Sequence, residues 1–323
     1  MSGRFSATSQ LASGAGDANS TGVLVATNWS ALLLMNTCQA HPKFVNSMVW
    51  SVDSWQAYRV SNFLPKMARI DSTRFAVDLD GDWSFGERVN AGYLQRIAAD
   101  AATQVVPHHD PIAVTTDFLV TARGGHAELT AQPLRLGNSI DVVRITMYQA
   151  DQVVLTSSVV VGTLEGKPAD MDMSVSADVP SPDRCTRIES DMLRGRNLPL
   201  MDRVEVRLAP ECIPLLRGQG DGSFALRGWA RLVGDDEPGA LGCLAIVDAF
   251  PPVTFTLGRH GTAPTVQLST YLRARPVPGW LRGELRGRVL GSGWFDQDCT
   301  LRDTAGNVIA QSHQLVRVPR RNP

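Results

Sequence analysis

The stretch R-V-N-A-G-Y-L-Q-R-I-A-A-D-A-A-T-Q-V at 88–105 decides the fold, together with the four segments that come after it. Leu94, Ile97, Ala98, Ala101 and Val105 fall on one stripe at helical spacing, and Asn90 stands where an N-cap belongs. The four segments, at 112–121, 126–136, 139–149 and 152–162, show strand-like alternation and are parted by turn signals such as Gly124-Gly125 and Gly137-Asn138. One helix followed by consecutive strands defines an α+β arrangement, in which a curved antiparallel sheet wraps a central helix.

The same order returns later in the chain. A helical stretch around 239–250 precedes strands near 264–275, 281–290, 293–303 and 306–318. Asp151–Ser158 aligns with Gly306–His313, each a tight turn entering a last strand, and Leu136-Gly137-Asn138 aligns with Leu290-Gly291-Ser292. A repeat of this size is a duplicated domain. The expected organisation is a first domain over 67–165, a linker over 166–202 and a second domain over 203–323. Residues 1–66 carry only six charged groups and no sustained period, so they are expected to lie outside the fold, with Met67 a candidate initiator.

Composition narrows the function classes. With 31 basic against 32 acidic residues the net charge is −1, which offers no field to attract nucleic acid or an anionic membrane. The apolar run Val23–Met35 is interrupted and falls short of the about 20 residues that a membrane span needs. Five cysteines, at 38, 185, 212, 243 and 299, are odd in number and widely spaced, which fits a reducing cytoplasm rather than a disulfide framework or zinc finger. No G-x-S-x-G, P-loop or G-x-G-x-x-G is present, so a serine nucleophile elbow and a nucleotide cofactor both lose support. His108-His109-Asp110, between two prolines, reads as a solvated loop and not as a metal site.

Two polar residues interrupt apolar patterns. Asp248 continues the stripe of Leu241, Leu244 and Ala245 in the second helix, where a carboxylate away from water is costly or has its pKa raised. Gln314 shares one strand face with Val308, Ala310, Ser312, Val316 and Val318. A water held between Asp248 and Gln314 would satisfy both, and Asp248 would serve it as a general base. The matching positions of the first half are Ala98 and Val159, so the chemistry is confined to one copy.

W-S-F-G-E-R-V-N-A-G-Y-L at 83–94, D-A-F-P-P at 248–252, P-T-V-Q-L-S at 264–269 and V-I-A-Q-S-H-Q at 308–314 resemble the double-hotdog acyl-CoA thioesterases of the thioesterase II type, over roughly 70–320. The resemblance implies two tandem hotdog domains forming a pseudo-dimer within one chain. It implies hydrolysis of a fatty acyl-CoA thioester by water activated by Asp248, Thr265 and Gln314, without a covalent intermediate, a metal or any cofactor beyond the coenzyme A of the substrate. The Gly92 amide would bind the oxyanion, with Asn90 beside it at the substrate. Ala91 stands where the family often has glycine. Strand alternation by itself would choose Thr270, on the face of Val266 and Leu268, in place of Thr265; a bulge would reconcile the two. Arg273, Arg275, Arg282, Arg286 and Arg288 could meet phosphates or form a solvated sheet face. Trp83, Trp229, Trp280 and Trp294 suit the core or the walls of an acyl slot. The competing reading is a non-catalytic acyl-CoA binding or sensing protein on the same fold. A dehydratase would need a histidine near the helix, where His260 is the candidate. Association of two chains into a homodimer of pseudo-dimers is left open.

Overall fold

The fold is that of a computed structural model, which describes residue 65 and residues 67–319 apart from 168, 175–177, 190–191, 193–197, 218, 220–221 and 235–236. The extension expected over 1–66 lies, but for residue 65, outside the described residues. In the first half β1 (Ala68–Arg69) and β2 (Arg74–Leu79) lead to a small hairpin of β3 (Ser84–Phe85) and β4 (Arg88–Val89). Then come α1 (Ala91–Thr103), β5 (Asp110–Phe118), β6 (Gly125–Arg135), β7 (Asp141–Gln149) and β8 (Gln152–Gly162). The second half begins with β9 (Thr186–Arg187), α2 (Leu200–Arg203), β10 (Val204–Leu208), α3 (Cys212–Leu216) and β11 (Ala225–Leu232). It continues with α4 (Gly239–Ile246), β12 (Thr265–Leu272), β13 (Leu281–Arg286), β14 (Leu290–Gly291), β15 (Trp294–Arg302) and β16 (Val308–Arg317).

Among the described residues, every strand but β3 and β4 joins one antiparallel sheet of 14 strands, with β5 and β12 hydrogen-bonded at its centre. Outward from that seam the order is β5-β8-β7-β6-β2-β1 on one side and β12-β16-β15-β13-β11-β10-β9 on the other. The duplication read from the sequence is thus a matching order of strands around one junction. The registers agree: Val114 faces Val159 across β5 and β8, as Leu268 faces Gln314 across β12 and β16.

α1 differs from the one-stripe helix that its spacing suggested. Gly92 through Ala99, Ala101 and Ala102 are all buried, because β5–β8 surround the helix and α4 packs against it. Alanine-rich sequence suits this position: small side chains let sheet and helix approach from several sides. Two polar residues at and within α1 are accommodated by specific partners. Asn90 accepts from the Tyr93 amide at 3.0 Å and so caps the helix as expected. Gln95, wholly buried, donates to Leu268 O at 3.0 Å and accepts from Thr270 Oγ1 at 2.7 Å, tying α1 to the central seam. Trp83 stacks on Tyr93 with ring centroids 4.8 Å apart and belongs to the core.

Three parts of the sequence reading change. The span read as a linker contributes β9, whose Thr186 and Arg187 pair with Leu208 and Arg207, while neighbouring Cys185 and Ile188 are buried. Two paired residues among prolines and charges carry no period to detect. Strands β2, β10 and β11 are additional to those expected; in β11 the alternation is broken by Gly228, where a Cβ would come within 2.1 Å of Arg207 O. In His108-His109-Asp110 only His109 is exposed loop, as expected, and its two neighbours are held by the fold. Asp110 is buried at the start of β5, accepting from Leu164 N and Arg275 Nη2 at 2.9 Å, and His108 Nδ1 lies 2.8 Å from Asp141.

Candidate active site

The site forms where the N-terminus of α1 meets the turn after α4. α4 is apolar on every face and buried from Gly242 to Ile246, so it has no single stripe for Asp248 to continue. The helix stops at Ile246, and Asp248 sits in the next turn, ahead of Pro251-Pro252. Asp248 is thus the residue expected from the sequence, held by a different element. α1 and α4 approach closely because of Gly92. A Cβ there would lie 2.6 Å from Leu244 O, 2.9 Å from Ala245 O and 3.0 Å from Asp248 Cβ. The space before Gly92 Cα is therefore filled by α4, and the glycine is required for the helix contact.

This contact delivers Asp248 to a set of donors. Asn90 Nδ2 donates to Asp248 Oδ2 and to Asp248 O, both at 2.9 Å. Gly92 N donates to Oδ2 at 3.3 Å. Gln314 Nε2 donates to Oδ1 at 3.2 Å, so the two residues paired in the sequence reading touch directly. Asp248 is half-buried and lines a neighbouring cavity. Burial pushes its pKa from 3.8 up to about 6, against the hydrogen bonds from Gln314, Gly92, Ala91 and Asn90, which lower it.

Gln314 is 2 % exposed and lies on the inward face of β16, as its alternation with Ser312 and Val316 indicated. Its Oε1 accepts from Thr265 Oγ1 at 2.9 Å. The register between β12 and β16 shifts between Thr265 and Gln267. This bulge turns Thr265 inward against strict alternation and brings it into the cluster. Thr270 is committed to Gln95 at the seam and takes no part. Asn90, Gly92, Asp248, Thr265 and Gln314 therefore form one connected group.

A cavity of about 340 Å³ opens beside this group. Its exposed rim includes Gly86, Arg88, Val120, Thr121 and Thr262. Its buried wall includes Leu94, Phe250, Phe255 and Phe295. Among the described residues, Arg88 and Asp248 are the only charged ones lining it, and Trp83, Trp229, Trp280 and Trp294 all lie elsewhere. Of the five arginines, Arg273, Arg286 and Arg288 line a separate polar groove, and Arg275 is paired with Asp110. His260 packs on the Phe255 ring at 5.0 Å between centroids and does not line the cavity. Among the described residues no cluster of His, Cys, Asp or Glu is placed to hold a metal ion.

One residue of the site escaped the sequence reading. Gln297 is 3 % exposed, lines the cavity and pairs directly with Gln314 across β15 and β16. Its signal is of the same kind as that of Gln314: it alternates with inward Phe295, Cys299 and Leu301.

A cluster of buried and half-buried polar residues lies at the junction of two similar half-sheets, one copy bearing the acid and the other the helix that grips it, which marks a duplicated two-domain fold with one polar site. Residues 79–162 match the model of the acyl-CoA thioesterase N-terminal domain, and residues 182–318 match that of the C-terminal domain. Together these take in more than half of the chain, which belongs to this acyl-CoA thioesterase family. An uncharacterised protein of Mycobacterium tuberculosis is 29% identical over 265 residues, covering 76% of this chain and 91% of its own. Among solved structures, a candidate thioesterase II from Thermobifida fusca is 28% identical with a TM-score of 0.74, covering 79% of this chain and 96% of its own. A protein of unknown function with a hotdog fold from Alicyclobacillus acidocaldarius has a TM-score of 0.69 at 23% identity, covering 80% of this chain and 97% of its own, which is a likeness of fold.

Proposed function

We propose that the two hotdog halves form a pseudo-dimer with a single active site, and that this site hydrolyses acyl-CoA thioesters by direct attack of water. The observation that carries this reading is the chain of contacts Thr265–Gln314–Asp248, ending at the N-terminus of α1. A water beside Asp248 loses its proton to the carboxylate as its oxygen attacks the thioester carbon. Thr265 and Gln314 hold that water in line. At 3.3 Å, Gly92 N–H makes a longer hydrogen bond to Asp248 than Asn90 or Gln314 does. It is therefore the donor most readily given to the oxyanion, which the α1 N-terminus also favours. Collapse of the tetrahedral intermediate breaks the C–S bond. The proton passes from Asp248 to the departing thiolate, releasing a carboxylic acid and free coenzyme A.

A pKa of about 6 suits this role, since Asp248 is ionised at neutral pH yet more basic than an ordinary aspartate. No described helix is long and apolar enough to cross a membrane. The test is incubation of the purified protein with acyl-CoAs of graded chain length while released thiol is titrated. Thiol release that depends on Asp248 supports the hydrolase. Tight binding without thiol release would transfer the assignment to an acyl-CoA sensor.

A further inference from the structure

The buried wall of the cavity is not uniformly apolar. Gln297 enters it from β15, among Phe250, Phe255 and Phe295. Its Oε1 accepts from Val253 N at 2.9 Å, and this bond fixes the orientation of the carboxamide, because the flipped amide would set a donor against a donor. The two N–H groups of Nε2 are thereby directed to the cavity, and no described protein group accepts from them. A purely hydrocarbon chain packed there would strip those donors of water and give nothing back. A chain carrying an oxygen at the right place would meet them.

The place is set by the register. Gln297 and Gln314 are direct partners across β15 and β16, and such neighbours have Cβ atoms about 4.5–5.5 Å apart. Gln314 belongs to the group that would hold the attacking water, so Gln297, its direct neighbour on the adjacent strand, lines the cavity beside that group. We infer that Gln297 is a specificity residue, whose Nε2 binds an oxygen on the third carbon of the acyl group, and that the preferred substrates are 3-hydroxyacyl or 3-oxoacyl thioesters. This inference rests on the thioesterase reading for its substrate class.

The experiment compares kcat/KM for 3-hydroxyoctanoyl-CoA and octanoyl-CoA in the wild-type protein and in Gln297→Met. The wild type is expected to favour the hydroxylated substrate by about tenfold or more, as a buried donor left unpaired by the plain chain requires. Gln297→Met should bring the ratio to about one, a change that a general structural role would not produce because both substrates share the fold. A wild-type ratio at or below one, or a preference that survives the substitution, overturns the inference. The same pair is then measured by calorimetry as ketone analogues, in which a methylene separates the carbonyl from sulfur so that hydrolysis is impossible. If the protein hydrolyses nothing yet binds the hydroxylated analogue about tenfold more tightly, the hydrolase reading fails and the role of Gln297 stands. If it hydrolyses both CoA esters equally, Gln297 loses its role and the hydrolase stands. Should Gln297→Met not fold, through loss of the bond to Val253 N, the two wild-type ratios decide the matter.

Discussion

Asn90 and Asp248 stand 158 positions apart and meet through the Asn90 carboxamide, whose Nδ2 donates at 2.9 Å to both the carboxylate and the carbonyl of Asp248. Its Oδ1 caps α1 at the same time. One side chain therefore fixes where the central helix starts and where the candidate base sits, so neither half of the chain builds the site alone.

Asp248→Asn should lower turnover by about 10²–10⁴-fold, the usual contribution of a general base. In the wild-type protein, activity should rise with pH through about 6 and then level off, because the ionised form is the active one. A pH–rate profile checks both points, and a profile without an acidic limb would remove Asp248 from the role of base.

Stability should depend on pH with the opposite sign. Folding raises the Asp248 pKa from 3.8 to about 6, so the folded protein holds this proton more tightly than the unfolded chain. The contribution is full below pH 3.8 and is lost as pH rises through about 6, amounting to about 3 kcal/mol. Chemical denaturation of the wild type and Asp248→Asn between pH 4 and pH 7.5 isolates the effect as the difference between the two curves. A difference that does not change with pH would refute a raised pKa for this carboxylate.

Thr265 and Thr270 should separate cleanly. Thr265→Val removes the hydroxyl that bonds Gln314 and should cut turnover about tenfold or more, with little change in stability. Thr270→Val leaves Gln95 Oε1 buried without that donor and should destabilise the fold by about 1–3 kcal/mol. Melting curves beside kcat measurements on the two variants decide, and an exchange of the two outcomes would return Thr270 to the site.

Gly92→Ala should be damaging to the fold as well as to activity. Its Cβ would press on Leu244 O and Ala245 O, backbone atoms that move only if α4 moves. A loss of about 1–3 kcal/mol is expected, as for an overpacked core. A variant with wild-type unfolding would contradict the close helix contact.

Asn90→Ala should act on both roles of that residue. Loss of the cap lowers stability by about 1 kcal/mol. Loss of a donor to the carboxylate raises the Asp248 pKa further, which should move the acidic limb of the pH–rate profile to higher pH. An unmoved limb would leave Asn90 as a cap alone.

Local pattern was informative where one face of an element met the core and the other met water. β16 is such a strand: Gln314 and Val316 are buried while His313, Leu315 and Arg317 are exposed, so alternation exposed Gln314 as an anomaly. The same logic was available for Gln297 in β15. It did not hold for α1 and α4, which are buried nearly all round and show no polar face from which to read direction. It also did not hold at Thr265, where a bulge breaks the period that such a reading depends on.

From its order of helix and strands, repeated once, the sequence by itself determined a duplicated α+β fold, the capping asparagine and the identity of the polar residues misplaced among apolar ones. Those features depend on neighbours a few positions away, which periodicity records. Only the tertiary structure decided that Gly92 serves the contact of two helices, that Thr265 and not Thr270 joins Gln314, and that Gln297 turns a free donor into the cavity. Each of these depends on groups brought together across the junction of the halves or across paired strands, and distances of that kind leave no period in the chain.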